Sequence, residues 1–483
     1  MISSRGPIGL LCATILIAGA IVSYAQTYSG SVSSTPAQNL PAGNASNSFS
    51  GSVPTKLVPG RMPLSLENAI DLGLKHNLGL LLSQAETRAA RGQRWQELSA
   101  LLPQVTASPY AAESKINIDE LGFSGLAASL HLSPAIGPYS YFDARAAVSQ
   151  SLFDWKSINA ARAASQNVKS ADYSLVDARD LVILTVGYVY FLAVADEARI
   201  STDEAQVEAA EALFNQATDQ VNAGTAADID AMRTKVELQT RQQQLIQAKN
   251  DFAIQKINVA RAIGLATSQD FDLTDKSSYQ LLDGLTIDET LKRAYASRSD
   301  YRAAESSVRA AELTRKAAVG GYFPSLSFGA DYGKGGDHPS DSTRVYDVRG
   351  TLSIPIFTGN SVHGDIQQAD ARLEQSQERL ENLRAQIEAD VRTAFLTLQS
   401  SAEQVKVAQS NIELADQTLA QSRDRFTSGV TDSVEVVQSQ EAVASAHEQY
   451  ISSLYSYNFA KISLIRALGA GAQGVKEYFP GKQ

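Results

Sequence analysis

The sequence predicts a mainly α protein with a smaller β part, built as two tandem repeats of long coiled-coil helices, with two strands in each repeat. Three observations carry this. Landmarks recur at a fixed offset: Leu64 in LSLENAI and Leu285 in LTIDETL lie 221 residues apart, as do Pro103 in LLP and Pro324 in YFP. A seven-residue apolar spacing runs through two stretches of about 67 residues. In two shorter segments the apolar period changes from helical to two.

At the N-terminus, Arg5, an apolar run from Ile8 to Val22 and the small-residue site Ser23-Tyr24-Ala25 predict a signal peptide over 1–25. A retained anchor helix is the competing reading, but the run is shorter than the ~20 residues that span a bilayer. Cys12, the only cysteine, lies early in the run and follows Leu11, which is not small, so it does not read as a lipid-attachment site. The expected mature chain therefore has no disulfide and no thiol chemistry. Residues 26–62 are rich in Ser, Pro, Gly, Asn and Ala and are expected to form a flexible leader.

The first repeat is expected over 63–265 and the second over 285–469, with a linking segment at 266–284 and a tail at 470–483. Thr286 to Glu289 has the pattern of a capping box, and Ser65 stands at the equivalent place. Around His76-Asn77 and Ser299-Asp300 the helical pattern weakens, so each opening helix is expected in two pieces. Phe153 pairs with Phe357 at an offset of 204, and Gly224 with Gly429 and Gly264 with Gly469 at 205. The drop from 221 puts extra length in a loop between Pro103 and Phe153.

Val391, Leu398, Val405, Ile412, Leu419 and Phe426 are spaced by seven, beside the small series Ala394, Ser401, Ala408, Ala415 and Ser422. The first half keeps the apolar series as Val186, Ala193, Ile200, Val207, Phe214 and Val221. One large and one small seam predict coiled-coil packing at close approach, over helices at 156–222 and 360–427. At 1.5 Å per residue each spans about 100 Å. Returning helices at 228–263 and 434–468 cover half that length, and the opening helices at 78–101 and 301–321 stack end to end with them. A glycine within a helix costs about 1 kcal/mol relative to alanine, so Gly224 in QVNAGTAADIDAMRTK and Gly429 in RFTSGVTDSVEVVQSQ read as hairpin tips. The apolar stretch 181–195 is bounded by Asp180 and Asp196 and is too short to cross a bilayer, so it reads as a buried helix.

Strands are expected within about 103–153 and about 324–357. Phe142, Ala144, Ala146, Val148 and Leu152 alternate with polar residues, as do Leu326, Phe328, Ala330 and Tyr332, and Tyr346, Val348, Leu352, Ile354 and Ile356. Strands of about ten residues with one apolar and one polar face fit a transmembrane barrel. A small soluble sheet would show the same alternation, but this secreted chain offers no second apolar layer to cover it. Four strands cannot close a barrel, and lipid does not tolerate open edges, so a barrel here requires an oligomer.

Chemistry-bearing motifs are few. The net charge of -10 without a basic run argues against a nucleic-acid partner. His76, His131, His338, His363 and His447 are isolated, GADYGKGG lacks the Walker spacing, and no nucleophile elbow occurs. No enzyme activity, metal or cofactor is expected.

The ordered and duplicated motifs LSLENAIDLGLKHN, QSLFD, IPIFTGN, DIDAMRTK and VEVVQSQ make the chain resemble the TolC-like outer-membrane efflux protein family over 64–469. That resemblance implies a homotrimer: a trimeric α-barrel tunnel in the periplasm, topped by a twelve-stranded transmembrane β-barrel in outer-membrane lipid, four strands per chain. It also implies a periplasmic adaptor protein and an inner-membrane pump, with the channel as passive exit duct of a tripartite efflux or type I secretion system. Gly224, Asp230, Phe426, Gly429 and Glu435 would form the periplasmic tip turns and adaptor contact, and Glu435 and Gln438 the entrance constriction. Family members often carry an acid six positions after the turn glycine, kept here as Asp230 and Glu435. Some carry a second acid nine positions after the second glycine, where this chain has Gln438. The two acids could form a cation-favouring ring or only stabilise helix first turns. The alternative from a different class is a secreted periplasmic coiled-coil scaffold without a pore.

Overall fold

The computed structural model describes residues 49–57, 59–117, 129, 135–275 and 286–479; the expected signal peptide lies outside them. In chain order the elements are β1 (Met62–Leu64), α1 (Leu66–His76), α2 (Leu78–Ser99), β2 (Gln104–Asn117), β3 (Ala135–Phe153), α3 (Trp155–Asn222), α4 (Asp228–Ile263) and β4 (Phe271–Leu273). The second half continues with α5 (Ile287–Ser297), α6 (Ser299–Val319), β5 (Ser325–Gly336), β6 (Thr343–Ser353), α7 (Ser361–Thr427), α8 (Ser433–Leu468) and α9 (Gly471–Tyr478).

Local caps explain the helix boundaries. Ser65 accepts from the Asn68 amide at 3.2 Å to start α1, and Thr286 accepts from the Glu289 amide at 3.4 Å to start α5. One residue makes each expected break. Asn77 ends α1, and its side-chain oxygen accepts from the amides of Gly79 and Leu80 at 2.9 and 3.4 Å to open α2. Arg298 ends α5 and holds Asp300 bidentately at 2.6 and 3.0 Å and Asp390 of α7 at 3.0 Å.

The helices α3 and α7 have 68 and 67 residues, about 100 Å each. Helix α3 packs on α2, α4, α6 and α8, and α7 on α6 and α8. The core concentrates at mid-length. There Val182, Val186, Tyr190 and Ala193 have no exposed surface and meet Tyr457, Ile462 and Leu464 of α8. The apolar stretch 181–195 is thus covered by the chain's own helices. Towards the tips the seam is less covered: Ile200, Val207, Ile412 and Leu419 are half-buried.

The leader's end is more structured than its composition predicts, and the linking segment and tail carry elements that the sequence pattern does not assign. Of the expected leader, 49–57 and 59–62 are held on the helices by specific contacts, with Val53, Leu57 and Arg61 left exposed: Phe49 lies against Gly79, and the Val53 amide donates to the His76 carbonyl at 2.9 Å. The Thr55 amide donates to the Gly264 carbonyl at 2.8 Å, so this strap crosses the α1–α2 break and the end of α4. In the linking segment β4 pairs in parallel with β1, and Tyr190 Oη donates to the Leu64 carbonyl and to Asp275 at 3.0 and 2.9 Å. The tail forms α9, and the Phe479 ring after it covers buried Lys461, whose Nζ lies 4.3 Å from the ring centroid. Burial pushes that ammonium's pKa down to about 8. Three-residue strands and an irregular strap carry no readable period, and partners far along the chain satisfy their polar backbone.

The strands form one antiparallel sheet in the order β2-β3-β5-β6. The first pair is longer than the ten residues expected: β2 has 14 and β3 has 19, extending into the expected loop. At the other end, β6 stops at Ser353 before Pro355, so Ile354 and Ile356 lie beyond the ladder. The alternation places Val105, Val148, Ala330 and Val348 in one cross-strand row on the apolar face. The other face carries a charge ladder, in which Arg145 reaches Asp143 at 2.6 Å and Asp331 at 3.2 Å, and Arg349 reaches Asp347 at 3.5 Å.

Candidate functional site: the hairpin tips

The turns α3–α4 and α7–α8 share one hydrogen-bond pattern. The Gly224 and Thr225 amides donate back to the carbonyls of Val221 and Gln220, both at 2.9 Å, and the Gly429 and Val430 amides to those of Phe426 and Arg425 at 3.1 and 2.9 Å. This double closure needs a left-handed residue after the cap, and Gly224 and Gly429 supply it with φ of 73° and 70°. A Cβ at either glycine would have nothing within 4 Å, so backbone handedness demands glycine here, not crowding.

The two acids act on different partners. Asp230, in the first turn of α4, accepts from the Ser433 hydroxyl at 2.7 Å, and Ser433 is the buried first residue of α8. It therefore ties one tip to the other, with Arg233 3.7 Å away. Glu435 stays within its own hairpin. It accepts from Thr431 Oγ1 at 2.5 Å and lies 3.5 Å from Arg425 Nε, joining the last turn of α7 to the first turn of α8.

Phe426 is interior. It is 4% exposed in a cluster with Leu213, Ala217 and Val436, which welds α3, α7 and α8 just above the turns. Burial removes it from the expected contact surface and makes it the core that positions that surface. Buried Ser422 and Ser439 share a hydrogen bond of 2.8 Å, and Gln216 donates to Thr427 Oγ1 at 3.1 Å. Gln438 is exposed on α8 and apart from Glu435's contacts.

Sequence reasoning missed Ser433, Arg425 and the exposed apolar side chains Ile229, Met232, Val236 and Val430 at the tips, three of them at least 63% exposed. The Asp432–Ser433 start of α8 is a readable cap, but its pairing with Asp230 joins residues 203 apart. Among the described residues no group of His, Cys, Asp and Glu side chains could hold a metal ion.

A known family model, that of outer membrane efflux proteins, matches the chain over residues 69–265 and 290–470, one stretch in each repeat. The chain belongs to the outer membrane efflux protein family. Its place is the outer membrane of the cell, and its fold is that of the TolC-like channels. Among curated relatives, the pyoverdine export outer membrane protein OpmQ of Pseudomonas aeruginosa is 24% identical over 427 residues, 85% of this chain and 86% of that protein. The outer membrane protein TolC of Escherichia coli is 22% identical over 447 residues, 86% of each chain. Among solved structures, the outer membrane protein VceC of Vibrio cholerae superimposes with a TM-score of 0.72 at 18% identity, covering 84% of this chain and 96% of that one. The outer membrane channel CmeC of Campylobacter jejuni gives 0.74 at 17% identity, covering 92% and 97%.

Proposed function

We propose that this efflux protein is the outer-membrane exit duct of a tripartite system, working as a homotrimer that passively exports substrates handed over by an inner-membrane pump through a periplasmic adaptor. The observation that carries this is the sheet: one chain supplies four strands and leaves β2 and β6 as open edges. Open edges are not tolerated in lipid, and edge-to-edge pairing of three copies closes a barrel of twelve.

The helical part supports the same assembly. Helix α4 exposes Ile246 and Ile254 at 71% and 51%, and α7 exposes Val407 and Leu414 at 61% and 59%, stripes the chain itself leaves uncovered. Packed between copies, they bury the half-covered seam. At the tips, exposed Ile229, Met232, Val236 and Val430 offer the adaptor an apolar contact, set around the rigid Phe426 cluster. The relatives named for a cargo are named for pyoverdine, toluene and antibiotics, which favours small-molecule efflux over protein secretion. A scaffold without a pore leaves both the open edges and the apolar sheet face unexplained.

The test is membrane fractionation, then crosslinking and planar-bilayer recording on detergent-extracted protein. An outer-membrane trimer giving discrete pores is expected. A monomer, or a trimer without conductance, would sink the proposal.

A further inference from the structure

The apolar sheet face ends in two cations. Cross-strand rows on this face run Val148, Ala330, Val348, then Ala146, Tyr332, Tyr346, and the next, towards the β5–β6 hairpin, is Ala144, Lys334, Arg344. The two-residue period puts Lys334 and Arg344 on the face that carries the apolar rows, directly opposite each other on neighbouring strands. Like charges so placed repel. Both are exposed, and neither makes an ion pair or side-chain hydrogen bond among the described residues. By contrast, Asp143, Arg145, Asp331, Asp347 and Arg349 on the opposite face satisfy one another.

Protection of a sheet edge accounts at most for Arg344, which stands on the edge strand β6. Lysine on an edge strand deters unwanted pairing, but β5 is flanked by β3 and β6, so Lys334 has no edge to protect. Height on the barrel gives another reason. From Leu352 to Arg344 the chain climbs eight residues, at ~3.4 Å each and a tilt of ~40°, about 20 Å, which takes the pair to the rim of an apolar band about 25 Å tall. Tyr332 and Tyr346, 60% and 77% exposed, lie one row below, where an aromatic girdle marks the membrane interface. The hairpin lies at the sheet end away from the helices, which is the outer leaflet's side.

We propose that Lys334 and Arg344 of each copy form a binding site for the phosphate of a phosphorylated lipid headgroup in the outer leaflet. The proposal rests on the barrel reading above. A phosphate between the two cations converts their repulsion into two charge-assisted contacts, while the acyl chains lie along the Tyr and Val rows.

The experiment uses full-length protein in phosphatidylcholine nanodiscs doped with bisphosphorylated lipid A or with lipid A stripped of its phosphates, with retained lipid read by native mass spectrometry. The parent should retain the phosphorylated form preferentially, and K334Q/R344Q should weaken that retention roughly thirtyfold, at about 1 kcal/mol for each cation. The same variant is recorded in planar bilayers. Unchanged conductance with unchanged lipid retention would overturn the site while leaving the channel standing. Failure of both parent and variant to insert would overturn the barrel and the site together. Equal protection by millimolar inorganic phosphate, with no preference between the two lipids, would reduce the pair to a general anion site and refute the lipid.

Discussion

Asp180 stands in α3 beneath the start of α9, 5% exposed and without a hydrogen bond or ion pair among the described residues. Burial pushes its pKa up to about 6 from the ordinary 3.8. The charges around it partly cancel: Arg466 and Arg298 oppose the rise, and Asp177 and Asp300 add to it. Because the folded protein holds this proton more tightly than the unfolded chain, the group favours folding fully below the unfolded value. That contribution is lost as pH rises from about 4 through 6. A gap of about two units at ~1.4 kcal/mol each is roughly 3 kcal/mol. Asp180→Asn keeps the shape of the protonated form and removes the titration. Thermal or urea unfolding followed by helical circular dichroism should show the variant more stable than the parent by ~2–3 kcal/mol near pH 8, and the two converging near pH 4. Asp177 is also raised, by burial first, but it is present in both proteins and largely drops out of the difference. A variant less stable than the parent near pH 8 would refute the reasoning, because it would mean that attraction to Arg466 outweighs desolvation.

Three further outcomes are expected. Val348→Lys places a charge in the Val105–Val148–Ala330 row, the face that the proposed barrel turns to lipid, and should cost about 2–4 kcal/mol near the midplane; normal insertion into vesicles would argue against that facing. Gly429→Val forces a β-branched residue to positive φ, at about 1–2 kcal/mol or more, with open space around it. Adaptor crosslinking should therefore fall while trimer assembly persists, and loss of the trimer would instead make the turn a folding element. Glu435→Ala removes the Thr431 and Arg425 contacts. If the acid only braces the turn, single-channel cation preference is unchanged, whereas a loss of preference would show that three such carboxylates act on the permeating ion.

Much of the fold is legible residue by residue. The helical pattern weakens at His76-Asn77 and at Ser299-Asp300, directly after Arg298, and reverses at Gly224 and Gly429, since caps and left-handed turns are decided within four residues. The tips were only half legible. Gly and acid spacing marks Asp230 and Glu435, but whether each braces its own turn or a neighbour depends on which helices meet. Phe426 belongs to a heptad series that is buried at Val391, Leu398 and Val405, half-buried at Ile412 and Leu419, and buried again at Phe426 only because α3 and α8 meet α7 there.

By itself the sequence determined the repeat, the two 100 Å helices, the hairpin tips and the two-faced strands. All of these follow from periods, glycines and caps that act over one or two turns of chain. Only the tertiary structure decided that the leader's end straps the α1–α2 break, that β1 pairs with β4 across some 200 residues, and that α9 closes over Asp180. Those segments are short and aperiodic. Their order comes from hydrogen bonds and burial offered by distant elements, and such partners leave no periodic trace in a local sequence.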